Sequence, residues 1–258
     1  MGIVVDRLKK YGFLFEELVK RDFKKKYKRT ALGILWSLLG PMLELLVMAL
    51  IFGQIFGRDI PHFIVYLFAG RLVYGYFKES TGSGMRSLME NAGIIKKIKA
   101  PKYIFLLSKN VSSLINFLIT LIIFFVFVAA EGISFSPRFI LLLYPIICLM
   151  FFNIGVGLIL SALHVFFKDV QYLYDIFTLL VMHASAIFWD VSIFSETMQR
   201  LFMLNPIFAY IHYIRLVVIG GMTPSFNVHL LCAAYALTVL VTGSVVYKKC
   251  NYRFVYYM

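Results

Sequence analysis

Long apolar runs, each bounded by charge, dominate the pattern of hydrophobic and polar positions along this chain. A helix needs about 20 residues at about 1.5 Å each to cross about 30 Å of hydrocarbon. Six runs reach that length, at about 32–57, 62–84, 103–130, 138–166, 172–190 and 228–247. Arg71, Lys78 and Glu79 interrupt the second, the least apolar of the six. A seventh run, 201–219, breaks early at Asn205-Pro206 and ends near Arg215. It is therefore expected to form one or two half-inserted, re-entrant helices on the outer side rather than a crossing.

The residues ahead of the first run follow another period. Val4, Leu8, Tyr11, Phe15, Val19, Phe23 and Tyr27 recur three or four positions apart among Lys, Arg and Glu, which is amphipathic helical spacing. Residues 1–29 are predicted to lie as a helix in the lipid interface, held partly by anionic headgroups. Residues 30–258 read as one transmembrane domain. The predicted fold class is thus all-α integral membrane. It has six transmembrane helices, an N-terminal amphipathic interfacial helix, a cytoplasmic coupling helix, and extracellular re-entrant helices between spans 5 and 6.

Composition narrows the class. Of 258 residues, 61% are apolar and only 15% charged, with a mean hydropathy of +0.83. Such a chain is not a soluble enzyme, a DNA-binding module or a disordered scaffold. The net charge of +13 would suggest a polyanion partner in a soluble protein. Here the cations are clustered: ten lie within residues 1–31 and six within 85–109, joined by Lys168, Lys248, Lys249 and Arg253. Only Arg58, Arg138 and Arg200 fall in the opposite loops. The positive-inside rule then places both termini in the cytoplasm, and no nucleic-acid partner is expected.

Enzyme motifs are missing. No G-x-x-x-x-G-K-[ST], H-E-x-x-H or G-x-S-x-G occurs, so no catalytic residue is assigned and any ATP must be used by another chain. The five histidines are scattered, and Cys148, Cys232 and Cys250 lie in or beside apolar runs without metal spacing. No metal site or cofactor is expected on this chain. A membrane channel or scaffold that needs no ATP is the reading from a different class, although no filter-like motif supports it.

Starting at Arg21, the string RDFKKKYKRTALGILWSLLGPMLELLVMALIFG, with its basic stretch, Leu-Gly, Trp36 and Pro41, resembles the opening of ABC-2 type transporter membrane subunits of the polysaccharide-export branch. The block SLMENAGIIKKIKAPKYIFLLS resembles that branch's cytoplasmic loop. FFKDVQYLYDIFTLLVMHASAIFWDVSIF followed by LFMLNPIFAYIHYIR resembles its fifth span and outer re-entrant segment. The resemblance implies a homodimer bound to two ATPase subunits that carry the ATP and magnesium. It also implies export of a lipid-linked surface glycan such as O-antigen, teichoic acid or capsule, on an undecaprenyl-pyrophosphate carrier, across the cytoplasmic membrane of a bacterium. Arg71, Lys78 and Glu79 depart from the apolar and small polar residues expected of similar proteins in the second span. The alternative within the class is an ABC-2 exporter of a small hydrophobic compound.

An exporter without its own nucleotide site needs a rigid cytoplasmic element to receive motion from its ATPase. Residues 86–98, bracketed by Gly84 and Pro101, are predicted as that coupling helix. Leu88, Met89, Ile94, Ile95 and Ile98 would fill a partner groove, and Arg86, Glu90 and Lys96 would form its polar rim. Lys26, Lys28 and Arg29, just ahead of the first span, are the candidates to meet the diphosphate where the lipid arrives. Trp36, Tyr66, Arg71, Tyr74, Phe77 and Tyr174 are the conduit candidates, since aromatic faces stack on sugar rings. Intramembrane charges must face protein or water, so Arg71 is expected to pair with Glu44. The spacing Gly53 to Gly57 is a weak candidate for close helix contact in a dimer.

Overall fold

Backbone N–H and C=O groups inside hydrocarbon have no water to bond, so each apolar run satisfies them by coiling. The structure, a computed structural model, describes residues 2–27, 32–56, 60–98 and 100–257, without the side chains of residues 2–10, 27, 34 and 54–56. Among these, all regular structure is helical. The order is α1 (Gly2–Tyr27), α2 (Trp36–Phe56), α3 (Phe63–Glu90), α4 (Ala92–Ile95), α5 (Tyr103–Ala130), α6 (Leu143–Phe166), α7 (Val170–Ala184), α8 (Glu196–Phe202), α9 (Pro206–Val218), α10 (Phe226–Cys250) and α11 (Phe254–Tyr257). Four of the helical segments are long and apolar enough to cross a membrane, or five if the bent pair α8 and α9 is taken as one span.

The long helix α3 is the axis of the bundle, packed against α5, α6 and α9, with α10 lying against α6. Val65, Leu67, Phe68, Ala69 and Val73 of α3 are at most 1% exposed. Two glycine pairs, Gly84 with Gly157 and Gly155 with Gly243, permit close approaches. A Cβ on Gly84 of α3 would come 3.5 Å from the Cα of Gly157 on α6, and one on Gly155 of α6 would come 2.6 Å from the backbone of Val239 and Leu240 on α10. Helices joined by glycine approach closely because no side chain intervenes.

Three boundaries differ from the expectation. Gly84 does not begin a new helix: α3 runs through it to Glu90, since the missing Cβ is used for packing on α6. At about 1.5 Å per residue, α3 is about 42 Å long and overshoots about 30 Å of hydrocarbon. The predicted coupling helix 86–98 is therefore the last turn of α3, a break at Asn91, and the single turn α4. The fifth run ends early as well. α7 stops at Ala184 after 15 residues, and Ala186 adopts a left-handed conformation with φ of 46°, turning the chain well before 190.

The seventh run folds as two short helices, α8 and α9, that meet at 108°. Asn205 caps α9 by accepting from the Ile207 N–H at 3.0 Å, with Pro206 at the first helical position. At the other end of the bundle, the amphipathic helix α1 lies on α5. Its inward side chain is Leu18, 3% exposed, with Tyr11, Leu14 and Phe15 packed around the same cluster. The apolar stripe is thus rotated from Val19 toward Leu14 and Leu18, because protein covers part of the face that was expected to meet lipid.

Candidate functional site

A cavity of about 850 Å³ opens among α2, α3, α5 and α7. Its α3 wall carries Arg71, Gly75, Lys78, Gly82 and Arg86, positions three or four apart that share one helical face. Glu44 of α2, Glu79 of α3, Asp175 of α7 and Lys26 of α1 complete the charged lining. Ser113, Asn116 and Thr120 line it from α5. These charges sit within helices that otherwise carry apolar sequence, so water or another polar group must occupy the space they face.

The charges are organised. Arg71 donates from Nε to Glu44 Oε2 at 3.0 Å, and a second guanidinium nitrogen reaches the other carboxylate oxygen, the fork geometry that arginine favours. Glu79 Oε1 accepts from Lys26 Nζ at 3.0 Å and from Asn116 Nδ2 at 2.7 Å, which ties the end of α1 to α3 and α5. Arg86 lies 3.6 Å from Glu90. Lys78 and Asp175, both exposed to the cavity, make no ion pair among the described residues.

Three of the six expected conduit residues line this space, namely Trp36, Arg71 and Tyr174. Trp36 is 44% exposed, whereas Tyr174 turns its hydroxyl inward to Thr81. The other three are packed inside the chain. Tyr66 donates its hydroxyl to the Trp189 carbonyl at 2.8 Å, Tyr74 donates to the Thr178 carbonyl at 2.8 Å, and Phe77 packs on Phe152. Each of these aromatics lies on a face of α3 that α6, α7 or the turn after α7 covers. Lys28, Arg29 and Gly57 lie outside the described residues.

At the lysine-rich end, the expected coupling side chains divide. Leu88 and Ile95 are buried in this chain's own cluster with Leu106, Leu158, Tyr247 and Phe254, so they fill no partner's groove. Met89 and Ile94 pack partly against the same cluster. The exposed tip consists of Gly93, Lys96, Lys97 and Ile98. Arg86 and Glu90 form part of a charged lattice that fastens α1. Arg21 donates to Asn91 Oδ1 at 2.8 Å, Asp22 lies 3.4 Å from Lys109, and Lys109 lies 2.8 Å from Glu90. Burial alone would raise the Glu90 carboxyl, but the hydrogen bond and charge of Lys109, with Arg86 and Lys25, outweigh it and hold it below its ordinary value.

One buried cation escapes the sequence pattern. Arg215 of α9 is 7% exposed and has no acidic partner within ion-pair distance among the described residues. Its guanidinium donates to the carbonyls of Tyr66, Ala186 and Ile187 at 2.9–3.3 Å and lies 3.3 Å from the Tyr66 ring centroid. Gly70 makes room for it: a Cβ there would come 3.1 Å from Arg215 and 3.0 Å from Ile187. A lone arginine inside an apolar run was the available signal, and sequence reading used it only to end a helix.

A bundle that is helical throughout its regular structure among the described residues, with several membrane-length apolar helices and a charged cavity, defines a multi-pass membrane protein. The chain belongs to the ABC-2 type transporter family, whose profile matches residues 14–219. It is similar to the O-antigen export system permease protein RfbA of Myxococcus xanthus, 26% identical over 250 residues and 95% of each chain. The protein of the same name from Klebsiella pneumoniae is 28% identical over 94% of this chain and 95% of its own. The polysialic acid transport protein KpsM of Escherichia coli is 22% identical over 90% of this chain and 92% of its own.

Proposed function

We propose that this chain is the transmembrane subunit of an ATP-driven exporter that moves a lipid-linked polysaccharide across the bacterial cytoplasmic membrane. The observation that carries the reading is the charged cavity. A hydroxyl-rich polymer needs a wall that replaces its water, whereas a small hydrophobic compound gains nothing from facing Arg71, Lys78, Glu79 and Asp175. Relatives named for O-antigen export and polysialic acid transport, aligned over nearly their whole length, support the same substrate class.

In this reading the lysine-rich end is cytoplasmic, α2, α3, α5, α6 and α10 cross the membrane, the 15-residue α7 with the turn after it makes a shorter sixth span, and α8 with α9 re-enters from outside. Two copies assemble through the apolar faces of α2 and α7, where Leu46, Leu50, Ile176 and Leu180 are 56–68% exposed, closing their cavities into one path. Two ATPase subunits, holding ATP and magnesium, dock on the tip around Lys96, Lys97 and Ile98. Because α1 is fastened to α3 and α5 through Asp22, Lys109 and Glu90, a push on the tip reaches the lipid interface through α1. Lys26, at the cavity mouth, meets the carrier diphosphate there.

The test is gentle purification from the native membrane, identification of what co-elutes, and deletion of the gene. A P-loop partner in equal amount, ATP hydrolysis by the complex, and loss of a surface polymer on deletion are expected. Elution as a lone oligomer without ATPase, or a deletion that changes drug resistance and leaves the surface glycan intact, would refute the proposal.

A further inference from the structure

The α3 wall of the cavity has a feature that a path for neutral sugars does not require. Arg71, Lys78 and Arg86 stand on one face, seven and eight residues apart, so their Cα atoms rise about 10 and about 12 Å along the helix. Gly75 and Gly82 lie between them on the same face, and with no side chains there the three cations stand clear of one another. Carboxylates hold the two ends of this row, Glu44 on Arg71 and Glu90 on Arg86. Glu79, the next lining carboxylate, is taken by Lys26 and Asn116. Lys78 stands at the centre of the row, exposed and without an ion-pair partner among the described residues.

A lysine midway along a membrane-length helix is costly unless it meets water or an anion. We propose that the row reads anionic groups, carboxylate or phosphate, carried by the polymer itself, and that Lys78 is the residue that distinguishes an acidic glycan from a neutral one. This rests on the cavity being the glycan path. Glu44 and Glu90 occupy the flanking cations at rest, and passing anionic groups exchange with them. Asp175, on α7, is the lining carboxylate without a cation partner among the described residues, and it opposes binding by repulsion.

The test measures binding of three soluble probes to the full chain in lipid nanodiscs. They are a hexamer of a uronic acid, a neutral glucose hexamer, and inorganic pyrophosphate standing for the carrier's headgroup. Trp36, a lining residue, reports by fluorescence in a Trp189→Phe background that removes the only other tryptophan. The acidic hexamer should half-saturate at a concentration about tenfold below the neutral one, the ratio that one charge-assisted contact supplies. Salt should shrink that ratio. Lys78→Gln should bring it within about twofold, Lys78→Arg should keep it, and Asp175→Asn should widen it.

Equal half-saturation by the two hexamers, or a preference that survives Lys78→Gln, overturns the charge reading and leaves the exporter standing. Lys78-dependent binding of pyrophosphate without preference between the hexamers assigns the row to the lipid carrier and also overturns it. Failure of both hexamers to bind removes the cavity as a glycan path, and this inference with it.

Discussion

Replacing Arg215 by Met isolates what the buried guanidinium does. Met keeps an apolar stem, is shorter by two atoms and carries none of the donors, so the loss of hydrogen bonds is the floor of the effect. The carbonyls of Ala186 and Ile187 would each lose the Arg215 donor, while the Tyr66 carbonyl keeps its place in the helical ladder of α3. A buried acceptor stripped of its donor costs about 1–3 kcal/mol, so two of them cost about 2–6 kcal/mol. The left-handed Ala186, a conformation disfavoured outside glycine, would also lose the contact that holds it. For a chain of this size each kcal/mol moves the melting temperature by about 2–4 °C. Arg215→Met should therefore melt at least about 4 °C lower in detergent, and protease should cut sooner between residues 185 and 195. Arg215→Lys, which keeps the charge but not the planar fork, should fall between the two. A Met variant that melts within about 1 °C of the parent with unchanged cleavage would show that the turn after α7 stands without the guanidinium.

Gly155→Ala places a Cβ 2.6 Å from the backbone of Val239 and Leu240. α6 and α10 must then part, and the cost should be about 1–3 kcal/mol or more. Gly93→Ala, which meets nothing within 4 Å, is the control, and equal melting temperatures of the two variants would contradict the packing. Reversing Glu44 or Arg71 alone sets two like charges face to face and should reduce export. Reversing both should restore it, and a surface-polymer assay that finds no rescue breaks the pairing. The depressed Glu90 carboxyl contributes stability that is fully present above its unfolded value and lost as pH falls through the lower folded one. The protection of α1 amides relative to their intrinsic exchange rates should thus fall as pH drops below about 4.5. Glu90→Gln should weaken that dependence, and an unchanged acid response in the variant would assign it to other groups.

The apolar runs, their basic flanks and the amphipathic period of residues 1–29 are legible from the sequence, because length, hydropathy and charge asymmetry are properties of short windows. The third run, 103–130, coincides with α5, and the break at Asn205-Pro206 separates α8 from α9. The Glu44 pairing of Arg71 was also within reach, since an intramembrane cation needs an anion and few are present. Pattern failed where a residue's role depended on what covers it. Leu88 and Ile95 are indistinguishable in sequence from docking side chains, yet Phe254, far along the chain, shares the cluster that buries them. Tyr66, Tyr74 and Phe77 differ from Trp36 only in which face of a helix they occupy, and neighbouring helices decide whether that face sees a cavity.

Local chemistry therefore settled that this chain is a helical membrane protein with one strongly basic end. Packing alone opened a cavity against the cation-bearing face of α3, seated α1 on α5, and enclosed Arg215 in carbonyls from segments 28 to 149 residues away. The physical reason is that hydropathy and helix period act over one or two turns. Burial and ion pairing are set by groups that come together only after the chain has folded.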